Sequence, residues 1–149
     1  MPEMISNTSC LIALSNIDML DILRQMYDAI FITEEVEAEF GEPIPGWIQV
    51  IPVQDRKALR ILQSNVDLGE ASTIALAMER EGATMILDDL KARRLALSLE
   101  MKFTGTIGVL IKAKRQGLDI SMEDCIARLH ACGFRLSEAV EAAMRRTDS

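Results

Sequence analysis

The sequence predicts an α/β fold with a mostly parallel central sheet and considerably more helix than strand. Three observations predict it. Short apolar runs alternate with longer stretches whose apolar residues recur at helical spacing. The run Ala83-Thr84-Met85-Ile86-Leu87 after Gly82 is apolar along most of its length, as a strand buried on both faces is. The chain has 149 residues, 49% of them hydrophobic, enough for one well-packed domain and too few for two comfortable ones.

The elements follow in order. Met4-Ile5-Ser6 is an opening strand that stops at the polar run Asn7-Thr8-Ser9. Leu11, Ile12, Leu14 and Ile17 then recur at helical spacing, and a second helical piece runs from Met19 to Met26. Ala29 to Ile32 is the second strand. Thr33 caps a helix that carries Glu35 and Glu37 near its start, turns Val36 and Phe40 inward and ends before Gly41-Glu42-Pro43. Trp47 to Ile51 is a strand stopped by Pro52, with Trp47 as an edge anchor or interface residue.

Asp55 to Ser64 is an amphipathic helix with Leu59 and Leu62 on one side. Gly69 opens a long helix through Glu81, ended by Gly82, and Thr84 to Leu87 is the next strand. Leu90 to Leu99 is a helix, Met101 to Thr104 a short strand, and Thr106 to Gln116 a helix closed by Gly117. Ser121 and Ser137 each cap one further helix. No repeat, low-complexity stretch or internal linker interrupts this order. One domain over 1–149 is expected, with 118–149 as a helical extension and disorder only in the last few residues.

The net charge of −7 argues against a sequence-independent nucleic-acid coat, whose affinity rests on many Lys and Arg contacts to phosphate. It leaves room for a nuclease, because catalytic acids and a bound cation change the local sign. No apolar run approaches the ~20 residues of a membrane span. Met1-Pro2-Glu3 is not a basic signal opening, so a cytoplasmic protein is expected. Three cysteines, Cys10, Cys125 and Cys132, form no disulfide framework. Cys125, His130 and Cys132 lie close in sequence but lack the CxxC spacing of a zinc site.

Asp88-Asp89 is the most informative pair. It ends a strand, where ligands of open parallel sheets bind, and it precedes the basic stretch Lys91-Ala92-Arg93-Arg94. Adjacent carboxylates repel unless a cation or a donor compensates. One reading is a hard metal ion; the other is that one aspartate caps the next helix. Asn7 at the end of the first strand, Glu39 in the helix after the second, and Glu70 at a helix start can meet this pair at one sheet edge. Several oxygens in one cleft suit Mg²⁺ or Mn²⁺. Glu39 as a solvated helix residue and Glu70 as a complement to a helix N-terminus are the plainer alternatives.

Arg93 stands four residues after Asp89, within reach on one helix face; it orients that carboxylate, binds a phosphate or simply faces solvent. Lys112, Lys114 and Arg115 form a second cluster that either borders a nucleic-acid path or is a solvated face. Aromatic residues are 4% of the chain, so stacking platforms are scarce and phosphate and shape recognition are favoured.

Several segments together resemble the PIN-domain group catalogued as domain of unknown function 3368, which includes VapC-like ribonucleases. They are Ile5-Ser6-Asn7-Thr8-Ser9 with Leu11-Ile12-Ala13-Leu14, Ile32-Thr33-Glu34-Glu35-Val36 with Glu39-Phe40, and Leu68-Gly69-Glu70-Ala71 with Ala75-Leu76-Ala77. Leu87-Asp88-Asp89 with Ala92-Arg93, Gly105-Thr106-Ile107-Gly108-Val109-Leu110 and Gly133-Phe134-Arg135-Leu136-Ser137 complete the set, spanning nearly the whole chain. The resemblance implies a three-layer α/β/α fold with two extra C-terminal helices. It also implies a Mg²⁺- or Mn²⁺-dependent endoribonuclease, often the toxin of a toxin–antitoxin pair.

By resemblance the catalytic set is Asn7, Glu39, Glu70 and Asp89. Glu70, Asp89, Asp88 and Asn7 are the metal candidates, Arg93 and Lys91 the RNA-phosphate candidates, and Thr8 and Thr106 supply hydroxyls to a ligand water. An RNA substrate, a small antitoxin protein with a basic or amphipathic segment, and a homodimer are the implied partners. Ile126, Leu129, Leu136 and Val140 offer the apolar faces for self-association.

The first site position departs from the general PIN pattern, which has Asp there. Asn7 keeps a carbonyl oxygen and loses a negative charge, which lowers affinity for a hard cation. The alternative is therefore a PIN-like binding module that has lost catalysis and works through protein partners. Receiver domains also carry an acidic pair at a strand end, but after the first strand; here the pair comes late.

Overall fold

The computed structural model describes residues 3–148; Met1 and Pro2 of the non-basic opening, and Ser149 of the expected loose end, lie outside the described residues. Five parallel strands stand in the order β3-β2-β1-β4-β5. They are β1 (Met4–Ser6), β2 (Ile30–Thr33), β3 (Ile48–Ile51), β4 (Thr84–Ile86) and β5 (Phe103–Thr104). The helices are α1 (Thr8–Asn16), α2 (Ile22–Met26), α3 (Glu34–Phe40), α4 (Arg56–Gln63), α5 (Leu68–Glu79), α6 (Leu90–Ser98), α7 (Thr106–Arg115), α8 (Met122–Ala131) and α9 (Glu138–Arg146).

Successive side chains on a strand point to opposite faces, and this period divides the core in two. Met4, Ile30, Ile32, Ile48 and Ile86 face a layer built from α1, α2, α7 and α8. Ile5, Phe31, Met85 and Leu87 face a layer built from α4, α5 and α6. Both sheet faces are therefore covered, which is why the strands read as continuous apolar runs. The result is the three-layer, helix-rich α/β/α arrangement.

Most elements fall within a residue or two of their expected bounds, and the caps explain the agreement. Thr33 Oγ1 accepts the Val36 N–H at 3.0 Å, Asp55 the Ala58 N–H at 3.1 Å, Ser121 the Asp124 N–H at 3.2 Å and Ser137 the Val140 N–H at 3.1 Å. Three bounds differ. The helical piece expected from Met19 is ordered as α2 only from Ile22, and β5 pairs over Phe103–Thr104 alone. The long helix opens at Leu68, because Asp67 caps it, rather than at Gly69.

The apolar faces expected to serve a partner are used inside the chain. Ile126 and Leu129 are buried in the first core, and Leu136 and Val140 pack against it. Met144 of α9 is fully buried there too.

The strand order sets the site. From β1 the chain moves outward through β2 and β3, then returns to place β4 on the other side of β1. Beyond the carboxyl ends of β1 and β4 the chain leaves in opposite directions, and such a crevice is where open parallel sheets bind ligands.

Candidate active site

Asn7 follows β1, and its N–H donates to the Ile86 carbonyl of β4 at 3.1 Å. It holds the N-cap position of α1 yet makes no side-chain cap bond. The residue is 4% exposed, and its Oδ1 is buried without a hydrogen-bond partner. An unpaired buried oxygen costs on the order of 1–3 kcal/mol, so such atoms cluster where a missing ion or water belongs.

Glu39 reaches the same place from α3. Its Oε1 accepts the Thr8 hydroxyl at 2.5 Å. The carboxylate lies against the start of α5, where a Cβ on Gly69 would collide with it. The bare backbone at Gly69 thus lets Glu39 and Glu70 share one cleft.

Glu70 is set by a capping box: its N–H donates to Asp67 Oδ1 at 2.9 Å, and its Oε1 accepts the Asp67 N–H at 3.2 Å. Burial pushes its carboxyl from the ordinary 4.5 to about 7, opposed by the Asp67 N–H and reinforced by the charges of Asp67 and Asp89. A buried cluster ties α5 in place behind it. Thr33 and Ser72 hydroxyls pair at 2.7 Å, while Ser72 and Thr73 donate to the Gly69 carbonyl at 2.8 and 2.9 Å.

Asn7, Thr8, Ser9, Glu39, Asp67 and Glu70, with Ile12 at the rim, line one open cleft of about 440 Å³. Asp89 is outside this lining, yet its charge reaches Glu70. The two aspartates have separate duties. Asp89 caps α6 through Oδ2, which accepts the Ala92 N–H at 3.0 Å. Asp88 is the tied one: Oδ1 accepts the Thr106 N–H at 2.7 Å, and Oδ2 accepts the Thr106 hydroxyl at 2.5 Å and the Ser9 hydroxyl at 3.1 Å. Three donors on Asp88 strap α1, β4 and α7 together, and of the two aspartates it is Asp89 that caps α6. Thr106 is used by that strap, whereas Thr8 positions Glu39.

Beneath the strap, burial and the Asp88 charge push the Cys10 thiol up to about 12, so it stays protonated and inert. Cys125 is buried, Cys132 is exposed, and His130 pairs with Glu141 at 3.0 Å.

Arg93 makes no ion pair with Asp89; its guanidinium lies over the Phe103 ring at 5.1 Å. Lys91 is exposed beside the site. The second basic cluster lies elsewhere. Helix α7 starts at the site edge and carries its last turn about 9–14 Å along its axis, so Lys112, Lys114 and Arg115 sit away from the site. Lys112 lies over Tyr27, and Lys114 binds the Ile120 carbonyl and Asp148.

Asp67 and Ser9 are the site residues that the sequence reading missed. The spacing Asp67-x-x-Glu70 is a legible capping-box signal. Ser9 left no signal, because its partner is 79 positions away.

A family model described as a PIN domain, DUF3368, matches residues 3–148. The chain belongs to this PIN-domain family. No curated protein and no solved structure matches it. Membership brings a nuclease-type function in general, and PIN domains are typically dependent on divalent metal. No helix among the described residues is long and apolar enough to cross a membrane.

The donors available in this PIN domain are hard oxygens, the chemistry Mg²⁺ and Mn²⁺ prefer. The buried, unpaired Oδ1 of Asn7 fits a cation site. Among the described residues, however, no three His, Cys, Asp or Glu side chains are gathered closely enough to enclose an ion. One member of the set is an amide, and Asp89 is turned to its helix.

Proposed function

We propose that this PIN domain is a Mg²⁺- or Mn²⁺-dependent endoribonuclease that hydrolyses RNA phosphodiester bonds in the cleft between β1, α3 and α5. The observation that carries this reading is the buried, unpaired Asn7 Oδ1 in a cleft that Glu39, Asp67 and Glu70 also line. Glu70, Asp89 and Asn7 are the residues that would hold the ion, with Asp88 kept as their strap. Asp89 Oδ1 is left over from its capping bond. When bound there, such an ion would supply an activated water and neutralise charge at phosphorus.

The chain's own residues do the remaining work. Glu70 Oε1 is engaged by the Asp67 N–H, so Oε2 is the atom that carries the proton near neutral pH and gives it up when an ion binds. Thr8 fixes Glu39 by its hydroxyl. Lys91 and Arg93 stand at the start of α6 as the cations for RNA phosphate. The chain then acts in the cytoplasm as the toxin of a toxin–antitoxin pair, with a small antitoxin segment lying in the acidic cleft.

The rival reading, a PIN-like module acting through protein partners, is favoured by the amide at Asn7 and by the spread of the acids. One experiment separates the two. The purified chain is expected to bind Mn²⁺ and cut RNA, with cutting abolished in Asp89→Asn. Absence of Mn²⁺ binding at millimolar ion, restored by Asn7→Asp, would instead establish the module.

A further inference from the structure

Beside the cleft lies a second pocket with a different character. It has a volume of about 260 Å³ and is lined by Ile12, Ala13, Leu129 and Phe134, with Asn16 and Cys132 at its polar side. Its lining carries no carboxylate and no cation. Ser9 and Ile12 line both this pocket and the acidic cleft, so the two are continuous along α1.

We infer that this pocket is a nucleobase subsite: it receives the base of the nucleotide flanking the phosphate held in the cleft. The inference rests on the endoribonuclease reading and adds to it the recognition of an unpaired base. Four observations support it. The occupant must be neutral, since no ionised group faces it. It must be small, because the volume lies below the ~300–1,000 Å³ of drug-sized pockets. Phe134 offers a flat ring and Asn16 an amide, the pair of contacts by which single-stranded RNA bases are stacked and hydrogen-bonded. Arg135, next in the chain, is exposed and holds no partner among the described residues, so a cation is at hand for the adjoining phosphate.

The low aromatic content of the chain made a base platform unexpected. Phe134 escapes that argument because one ring placed beside the cleft suffices for one base.

Cys132 provides the test. It is the exposed cysteine of the three, while Cys10 and Cys125 are buried. Its alkylation by iodoacetamide therefore reports on the pocket with chelator present and without turnover. A short single-stranded RNA is expected to slow that alkylation at least fivefold, and an abasic oligomer of equal length is expected not to. Phe134→Leu keeps the apolar packing but lacks a flat face, and is expected to weaken RNA binding about tenfold and to remove the protection.

Equal protection by RNA and the abasic oligomer would overturn the subsite, as would RNA cutting with Cys132 unprotected; the nuclease reading survives both. Alkylation that slows with protein concentration alone would overturn it in favour of a contact between copies. Failure to bind RNA at all would overturn both readings together.

Discussion

Gly69 and the Glu39 carboxylate compete for one volume, and the glycine settles it for Glu39. In Gly69→Ala the new methyl meets the far end of an exposed, flexible side chain, so Glu39 swings away and loses Thr8. RNA cutting should fall at least tenfold while thermal stability changes by less than about 1 kcal/mol, which paired turnover and melting measurements check. Glu70 gives a pH signature. Its folded value of about 7 lies above the ordinary 4.5, so the folded state holds the proton more tightly between those two values. The chain is then unpenalised below pH 4.5, and stability is lost as pH rises through the window to about 7. Glu70→Gln should abolish that loss, seen as a melting temperature above that of the parent at pH 8 and equal to it at pH 4. Asn7 and Glu70 were legible because one follows a strand end and the other stands in the first turn of a helix, whereas Glu39, near the end of α3, was legible only as an acid in the helix after the second strand. The split of duties between Asp88 and Asp89 was not legible, since adjacent acids differ only in which donors the fold brings to them.

At the scale of elements, caps and buried small residues govern. Helix α5 is buried without a break from Gly69 to Ala77, which only residues such as Ala71, Ser72 and Ala75 permit between a sheet and its neighbours. Its start is set by Asp67. Asp67→Ala removes one half of the capping box and should cost about 1 kcal/mol, visible as a melting shift of roughly 2–4 °C. The strap from Asp88 joins α1, β4 and α7, so Asp88→Ala leaves Thr106 and Ser9 unpaired and should cost about 1–3 kcal/mol in denaturant unfolding. The strand–helix alternation was readable because both faces of the sheet are covered. The shortness of β5 was not: before Phe103 only the Lys102 carbonyl reaches β4, accepting the Met85 N–H at 3.1 Å, and edge pairing is a matter of tertiary contact.

For the whole molecule the net charge of −7 sets how RNA can be held. Lys112 and Lys114 are engaged at the far edge, and Lys91, Arg93 and Arg135 are the cations assigned to phosphate beside the cleft. The dependence of RNA affinity on salt should therefore be shallow, with a log–log slope no steeper than about −2. Reversing the charges of Lys112 and Arg115 should leave that slope unchanged. A slope several times steeper would place RNA on a basic surface that the fold does not offer. The family was readable from ordered segments spread along the chain, because their order follows the strands that converge on one edge. Which oxygens remain free at that edge required the fold.

The most direct test is calorimetric titration of Mn²⁺ into the chelator-stripped protein at pH 7.5, alongside RNA cutting by the same samples. Saturable binding is expected, with a proton released on binding as Glu70 gives up its hydrogen. Both binding and cutting are expected to be lost in Asp89→Asn and strengthened in Asn7→Asp. Mn²⁺ binding and RNA cutting that survive Asp89→Asn and Glu70→Gln unchanged would contradict the assignment of this cleft.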